Sequence, residues 1–281
     1  MACISTTARF WLLNLCLPLL AALVVFMVFD LADLDLVISN LIWDPTAGQF
    51  PLEHNALFER ITHKWARVLP DVVGEGAVIA AALSVVSPLL SRFPNSVIAR
   101  GVSRLGLTGL ITFAERHRRD SLFVVAAFAA STGAIHYLKS HTNVYCPVET
   151  VLYGGVQARM EWFENFTLWS SPGAGRCWPG GHASSAFSLL ALYFLARRYR
   201  WRYAPTVLHV VGLLGMVYGT TRVFQGWHYM SHTLWAGIVV WLSTLAIALL
   251  FYGRARLQQP LRDPGSRTAS HAVAHCLHER L

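Results

Sequence analysis

The chain is poor in charge. Asp, Glu, Lys and Arg make up only 14% of its 281 residues, whereas a soluble domain usually carries about 25%. Hydrophobic residues make up 54% of the chain and are concentrated in six long runs. This combination argues against a soluble protein and predicts a single domain embedded in a bilayer. No internal repeat is visible in the sequence.

The charge that is present is mostly positive, with a net value of +8. Taken alone, this value would suggest a nucleic-acid-binding protein. The arginines cluster beside the apolar runs, however, and that distribution is the signal that orients a membrane protein. We therefore expect membrane lipids as partners and no nucleic acid.

The first apolar run, residues 10–29, also lacks the features of a cleaved signal peptide. No A-x-A site follows it, and Asp30, Asp33 and Asp35 come next instead. The run is about 20 residues long, which suits a membrane span better than the roughly 7–15-residue core of a signal peptide. We expect this helix to be retained.

Five further apolar runs complete the pattern, at residues 69–90, 121–138, 182–195, 204–218 and 231–252. The fourth and fifth runs of the chain are short, but Ser and Gly are tolerated in packed spans. The sequence thus predicts an all-α integral membrane bundle of six transmembrane helices, formed by residues 1–253. Residues 254–281 have no helical period and predict a flexible cytoplasmic tail.

The arginines predict which side each loop occupies. Six arginines and one acid, Glu115, lie in residues 92–119; four arginines lie in residues 197–202, and Arg254 and Arg256 follow the last run. These three segments are expected in the cytoplasm, with both termini. Residues 30–67 and 139–181 are far less basic and are expected outside, as in a bacterial inner-membrane protein.

Three short segments at the ends of apolar runs carry residues suited to one chemistry. They are Lys139-x6-Cys146-Pro147, Pro179-Gly180-Gly181-His182 and Thr221-Arg222-x5-His228-x3-His232. Catalysis on a phosphate group needs cationic clamps, backbone donors, a nucleophile and a proton donor. All four are present, and the predicted topology puts all three segments at the outer face.

The order and spacing of these segments resemble the type 2 phosphatidic acid phosphatase family of integral membrane phosphatases. The signature of that family runs K-x6-R-P, then P-S-G-H, then S-R-x5-H-x3-D. Seven positions match, namely Lys139, Pro147, Pro179, Gly181, His182, Arg222 and His228. Four depart, with Cys146 for Arg, Gly180 for Ser, Thr221 for Ser and His232 for Asp. The resemblance implies metal-free catalysis without a cofactor.

Each matching side chain has a predicted role. His228 is expected to attack phosphorus and form a phosphohistidine, and His182 to protonate the leaving oxygen. Lys139 and Arg222 are expected to clamp the phosphate. Gly180 and Gly181 would offer backbone N–H groups at a helix start. The competing interpretation of these residues is structural, with histidines that cap helices and cations that reach for the membrane surface.

The departures from the signature raise separate questions. Cys146 cannot hold a phosphate as arginine does, and Arg159 or Arg176 in the same loop are candidate replacements. His232 lies one helical turn after His228, where the family keeps an aspartate that orients the nucleophile. A neutral histidine can accept a hydrogen bond there but carries no negative charge. Carboxylates that could supply that charge are Glu149 and Glu75.

The cysteines leave two further possibilities open. Cys146 and Cys177 lie in one predicted outer loop, where a disulfide is permitted, and closing that loop would contribute roughly 3–4 kcal/mol of stability. Cys3, Cys16 and Cys276 have no evident partner. Alternatively, the spacing of His228 and His232 suits a helical zinc site, with a third ligand from Cys146, Cys177 or His182.

The predicted function is hydrolysis of a lipid phosphate monoester or pyrophosphate at the outer face of the membrane. The resemblance to bacterial members suggests undecaprenyl pyrophosphate, lipid A phosphate or phosphatidylglycerol phosphate as substrates. One alternative is transfer of the phosphate to another lipid by the same residues. Another is a non-catalytic lipid-binding or transport protein with a decayed site, because Cys146 and His232 replace an arginine and an aspartate of the signature.

The topology has a direct test. Reporter fusions after Arg200 and after Arg256 are expected to show a cytoplasmic location, and a fusion near Gly155 an outside location, because cytoplasmic loops retain arginine. A cytoplasmic signal at Gly155 would move the three segments to the inner leaflet and contradict the orientation.

Overall fold

Helices account for the architecture of residues 6–261, which are the residues that the computed structural model describes, and this part of the chain contains no β-strand. The helices are Thr6–Leu31 (α1), Leu34–Ile42 (α2), Ala56–Arg92 (α3), Val97–Arg104 (α4), Thr108–Arg116 (α5), Arg118–Ser140 (α6), Gly181–Phe187 (α7), Leu190–Arg198 (α8), Ala204–Phe224 (α9) and Met230–Tyr252 (α10). The all-α membrane architecture predicted from the sequence is confirmed.

Five of these helices, namely α1, α3, α6, α9 and α10, are long and apolar enough to cross a membrane. The remaining predicted span, residues 182–195, is formed by α7 and α8 in succession. Serine hydroxyls loosen this span, because Ser184, Ser185 and Ser188 each donate to the carbonyl three residues earlier. Such bonds compete with the regular helical ladder, and the break follows at Ser188 and Leu189.

Helices α4 and α5 occupy the basic segment between α3 and α6. The two helices are bent by 101° relative to each other, so they do not form one straight span. Ile111 and Ala114 of α5 are buried against the bundle, while Arg104 and Arg116 end the two helices. An apolar inner face with arginines at the ends is typical of a helix that lies at a membrane interface.

The centre of the bundle is closely packed where α7, α9 and α10 meet. A Cβ atom added to Gly215 of α9 would lie 2.2 Å from the ring of Phe187, and one added to Gly219 would lie 2.1 Å from Thr233. The two glycines therefore let α9 approach its neighbours more closely than any other residue would allow. This packing fixes the positions of α7 and α10 along the axis of α9.

The ends of α6, α8 and α10 that lie away from the three signature segments are joined through Asp120. Its carboxylate accepts hydrogen bonds from Arg198 at 2.5 Å and from the hydroxyl of Tyr252 at 2.9 Å. Two arginines at and just after the end of α8 bind the residues that follow α10. Arg197 donates to the carbonyl of Leu257 at 2.7 Å, and Arg200 donates to the carbonyl of Pro260 at 2.9 Å. The first residues of the predicted tail thus pack on the bundle; residues 262–281 lie outside the described part.

Candidate phosphate site

The three signature segments meet at one end of the bundle. Lys139 lies in the last turn of α6 and Arg222 in the last turn of α9. His182 lies in the first turn of α7, and His228 and His232 flank the start of α10. Since chain direction alternates between these helices, two C-terminal ends and two N-terminal ends come together here. The structure therefore assembles the residues that the sequence separates by up to about 90 positions.

His228 sits in the short turn between α9 and α10. Gly226, with a φ of 71°, shapes the turn, and its carbonyl accepts the N–H of Val148. His228 is 9% exposed. Burial and then the positive charge of Lys139 hold the pKa of His228 well below its usual value, so the ring is neutral at pH 7. A neutral ring nitrogen is the form that can act as a nucleophile.

Two groups touch the Nδ1 atom of His228. The Nδ1 atom of His232 lies 3.3 Å away and the Sγ atom of Cys177 3.2 Å away. The ring of His232 also interacts with the backbone carbonyl of Cys177. Only one of the two facing Nδ1 atoms can carry the proton between them. When His228 carries it, its Nε2 lone pair is free to attack.

Neither carboxylate considered for this position reaches the histidine pair in the described chain. The side chain of Glu149 accepts the backbone N–H of Cys146 at 2.7 Å. Glu75 lies on α3 and lines a cavity beside His182 instead. The suggestion that either residue supplies the missing negative charge is therefore not supported, because Glu149 binds a backbone N–H group and Glu75 lines the cavity.

The disulfide between Cys146 and Cys177 is present, with a Cα–Cα distance of 5.2 Å. It joins the first signature segment to the second, as the sequence suggested. Cys16 is a free, exposed cysteine in α1, and Cys3 and Cys276 lie outside the described residues. The sulfurs of Cys146 and Cys177 lie close to His228, but a disulfide sulfur is not the thiolate that a zinc site uses.

Lys139 is directed into the site. Its Nζ atom donates to the carbonyl of Arg176 at 2.7 Å and lies 3.4 Å from that of Cys177. A Cβ atom added to Gly181 would lie 3.2 Å from Cε of Lys139. The ammonium group thus lies next to the start of α7, where the positive end of the helix dipole adds to its charge.

Arg222 is held by partners on two elements. Its Nη1 atom donates to Oε2 of Glu59 at 2.8 Å and to Oε1 of Gln225 at 2.9 Å. Gln225 is fully buried. The guanidinium is therefore fixed in place, and a carboxylate already occupies part of its binding surface.

Neither arginine proposed as a replacement for the family's arginine is free to clamp a phosphate. Arg159 pairs with Asp33 at 2.9 Å and also with Glu161. Arg176 donates to the carbonyls of Gly173 and Gly175 at 2.6 and 2.7 Å. The site therefore contains two signature cations, Lys139 and Arg222, and the charge lost at Cys146 is not restored by these two side chains.

The glycines before α7 differ in what they can offer. The N–H of Gly180 donates to the carbonyl of His232 at 2.8 Å, so this donor is already used. A side chain at Gly180 would also approach that carbonyl to 3.0 Å. An anion at the start of α7 would therefore bind Gly181 and the N–H groups that follow it.

His182 is packed on both sides and capped by a carbonyl. Its ring stacks on those of His63 and Tyr218, with centroid distances of 4.8 and 5.1 Å. Its Nε2 atom lies 2.5 Å from the carbonyl oxygen of Thr62. His182 is 7% exposed, and the groups that cover it belong mainly to the start of α3.

The first three turns of α3, including the π-helical stretch Arg60–Trp65, form a part of the site that the sequence analysis missed. Helix α3 begins at Ala56, whereas the apolar run predicted a start near residue 69. Glu59, His63 and Arg67 recur at four-residue intervals and so lie along one side of a helix. That period, ahead of an apolar run, is the signal that could have revealed the extension.

Two aspartates, Asp30 and Asp35, hold the start of α10 in place. Asp35 accepts the backbone N–H of Ser231 at 2.9 Å, and Asp30 accepts the indole N–H groups of Trp162 and Trp235 at 3.1 and 2.9 Å. Burial raises the pKa of Asp35 to about 6. Asp30 lies in the last turn of α1 and Asp35 in the first turn of α2, so they fasten these two helices to α10, the helix that carries His232.

A comparison with models of protein families found a match. The family model described as the PAP2 superfamily matches residues 120–256, a range that includes Lys139, His182, Arg222, His228 and His232. Searches among curated proteins and among solved structures gave no match. Members of the superfamily are generally phosphatases that act on phosphate monoesters. Residues 120–256 of this integral membrane chain thus belong to the PAP2 superfamily.

Proposed function

We propose that the protein hydrolyses a phosphate monoester or pyrophosphate carried by a lipid, through a phosphohistidine at His228. The observation that carries the proposal is the convergence of Lys139, His182, Arg222 and His228 at one end of the bundle. Two cations, a neutral nucleophile and a proton donor are the groups that phosphoryl transfer requires. No cofactor has a role in the proposal.

The cavity beside His182 supports a lipid as the leaving group. It has a volume of about 1030 Å³ and runs between α3 and α6. Val78, Ile79 and Phe128 contribute apolar walls, and Gly181 and His182 line it at the site. Val78 and Ile79 are more than half exposed on the outer surface of the bundle. A chain held in this cavity would pass directly from the bilayer to the proton donor.

The proposed reaction has two steps. In the first step Nε2 of His228 attacks phosphorus, the bond from phosphorus to the lipid oxygen breaks, and His182 gives that oxygen a proton. In the second step His182 takes a proton from water, the oxygen of that water attacks phosphorus, and the bond from phosphorus to Nε2 of His228 breaks, which releases phosphate. His232 accepts the Nδ1–H of His228 throughout and so keeps the attacking nitrogen unprotonated.

The distribution of arginines leads us to propose further that this end of the bundle faces the periplasm or the cell exterior, with both termini in the cytoplasm. The basic residues Arg119, Arg198 and Arg200 make their contacts at the opposite end of the bundle. This separation supports an orientation in which the phosphate site lies at the outer leaflet.

The function is tested with the purified protein and a panel of lipid phosphates. We expect wild-type protein to release phosphate, and His228→Ala to release none, because no covalent intermediate can form. His182→Ala is expected to lose about 10²–10⁴-fold, the usual range for a general acid, with the smallest loss for good leaving groups. His209→Ala serves as the control, because His209 is an exposed residue of α9 away from the site.

Near-normal activity in His228→Ala would contradict the mechanism. Failure of the wild type to release phosphate from any lipid in the panel would favour the non-catalytic alternative. Transfer of labelled phosphate to an acceptor lipid, in place of release, would instead identify a phosphotransferase.

Position 232 is tested by restoring the residue of the signature. We expect His232→Asp to keep or raise activity, because a carboxylate accepts the Nδ1–H of His228 and stabilises the imidazolium. His232→Leu offers no acceptor and is expected to be less active. Steady-state kinetics of both variants measure the effect. A loss in His232→Asp as severe as that in His228→Ala would mean that His232 has a separate role, such as binding a metal, and chelator sensitivity of the wild type would indicate the same.

A further inference from the structure

Glu59 occupies the binding surface that the proposed function assigns to phosphate. Its Oε2 atom accepts from Nη1 of Arg222 at 2.8 Å and from Nε2 of Gln225 at 2.9 Å. A carboxylate oxygen in this position makes the contacts that a phosphate oxygen would make, since both are anionic acceptors for guanidinium. Arg222 can bind substrate fully only after Glu59 has moved away.

The same segment also keeps the rest of the site apart. The Thr62 carbonyl holds His182, the ring of His63 covers it, and the Ala66 carbonyl accepts the hydroxyl of Tyr218. The large cavity reaches His63 and His182, whereas a smaller cavity of about 340 Å³ reaches Glu59 and Arg222. His228 lines neither cavity. The start of α3 lines both cavities, so a phosphate that bridged Arg222 and His182 would have to displace part of it.

Charge decides which ligands can bring about that shift. The Glu59 carboxylate carries one negative charge, as does a phosphodiester, whereas a phosphate monoester carries about 1.5 to 2 at neutral pH. A phosphodiester therefore gains little by exchanging with Glu59, whereas a monoester or pyrophosphate gains in attraction to both Arg222 and Lys139. The displaced side chain enters solvent easily, because 38% of it is exposed already.

We propose that Glu59 is a built-in competitor for the Arg222 clamp, which lowers the affinity for every anion by the same factor, so that weakly held phosphodiesters leave the clamp free while more highly charged phosphate groups still bind. The proposal rests on the proposed function, because it assigns Arg222 to phosphate. Phosphodiester lipids surround the protein at high concentration, and a bare guanidinium at the membrane surface would bind them. Glu59 prevents that occupation and leaves the clamp available to the substrate.

The test compares Glu59→Gln with Glu53→Gln in the full-length protein. Glutamine keeps a hydrogen-bond acceptor for Arg222 but removes the charge. Glu53 lines the same small cavity and bonds the backbone N–H of Phe50, with no contact to Arg222, so it is the matched control. Binding of diethyl phosphate and of inorganic phosphate at pH 8 is measured by calorimetry in detergent free of phospholipid, so that the readout does not depend on turnover.

We expect Glu59→Gln to bind diethyl phosphate about three- to tenfold more tightly than wild type, because a competing state of the clamp has been removed. Inorganic phosphate is expected to gain by a similar factor, because the same competing state is removed for both anions. Glu53→Gln should match the wild type, and Glu59→Asp should bind both anions about as weakly as the wild type does.

The proposal is overturned if Glu59→Gln binds neither anion more tightly than the wild type does, or if it weakens both anions and so shows that Glu59 only supports Arg222. Absence of binding in both wild type and variant would also overturn it. Turnover of lipid phosphate is measured in parallel. An inactive wild-type protein in which Glu59→Gln still tightens anion binding would contradict the proposed function and leave the role of Glu59 as a competitor standing.

Discussion

The bond between Cys146 and Cys177 is the constraint on which the geometry of the site depends. It fixes the loop after α6 to the loop before α7, and a sulfur of the bridge lies against Nδ1 of His228. The carbonyl of Cys177 faces His232, and the Nζ atom of Lys139 reaches the carbonyls of Arg176 and Cys177. One cross-link thus locates Lys139, His228 and His232 relative to one another. The family signature has a cationic arginine at position 146. In this chain Cys146 stands there and makes the site more rigid through its disulfide.

Two replacements leave the site with less charge than the family signature. Cysteine removes one positive charge at position 146, and histidine removes one negative charge at position 232. The two losses cancel in net charge. In the proposed mechanism, an imidazolium at His228 with fewer cations around it has less need of a nearby carboxylate to stabilise it in the buried site. Glu59 adds a negative charge at Arg222 from a helix that the signature does not include. The net charge of the site is therefore set partly by α3.

The sequence predicted the membrane helices well, because a bilayer imposes a length and a polarity that single residues cannot override. It also predicted which residues meet, because His182, Arg222 and His228 each lie beside the end of an apolar run. The break between α7 and α8 was harder to foresee, since it arises from three serine hydroxyls that bond within their own helix. Hydropathy does not report such bonds.

The start of α3 was missed for a related physical reason. Residues 56–67 are polar enough to look like a loop, and their helical form depends on contacts that the fold creates, such as Glu59 with Arg222. The roles suggested for Glu149 and Arg159 are not supported because both residues have other partners in the structure, Glu149 at Cys146 and Arg159 at Asp33 and Glu161. Distance along the chain does not show which partner a charged side chain selects.

The central claim is that His228 becomes covalently phosphorylated during turnover. The most direct measurement is to mix purified protein with a lipid monoester labelled in its phosphate, quench within the first turnover in alkali, and locate the label by peptide mapping. We expect an adduct that is stable in alkali and labile in acid, as phosphohistidine is, on the peptide that contains His228. Phosphate release by an active preparation without any such adduct, or with the label on another residue, would contradict the account.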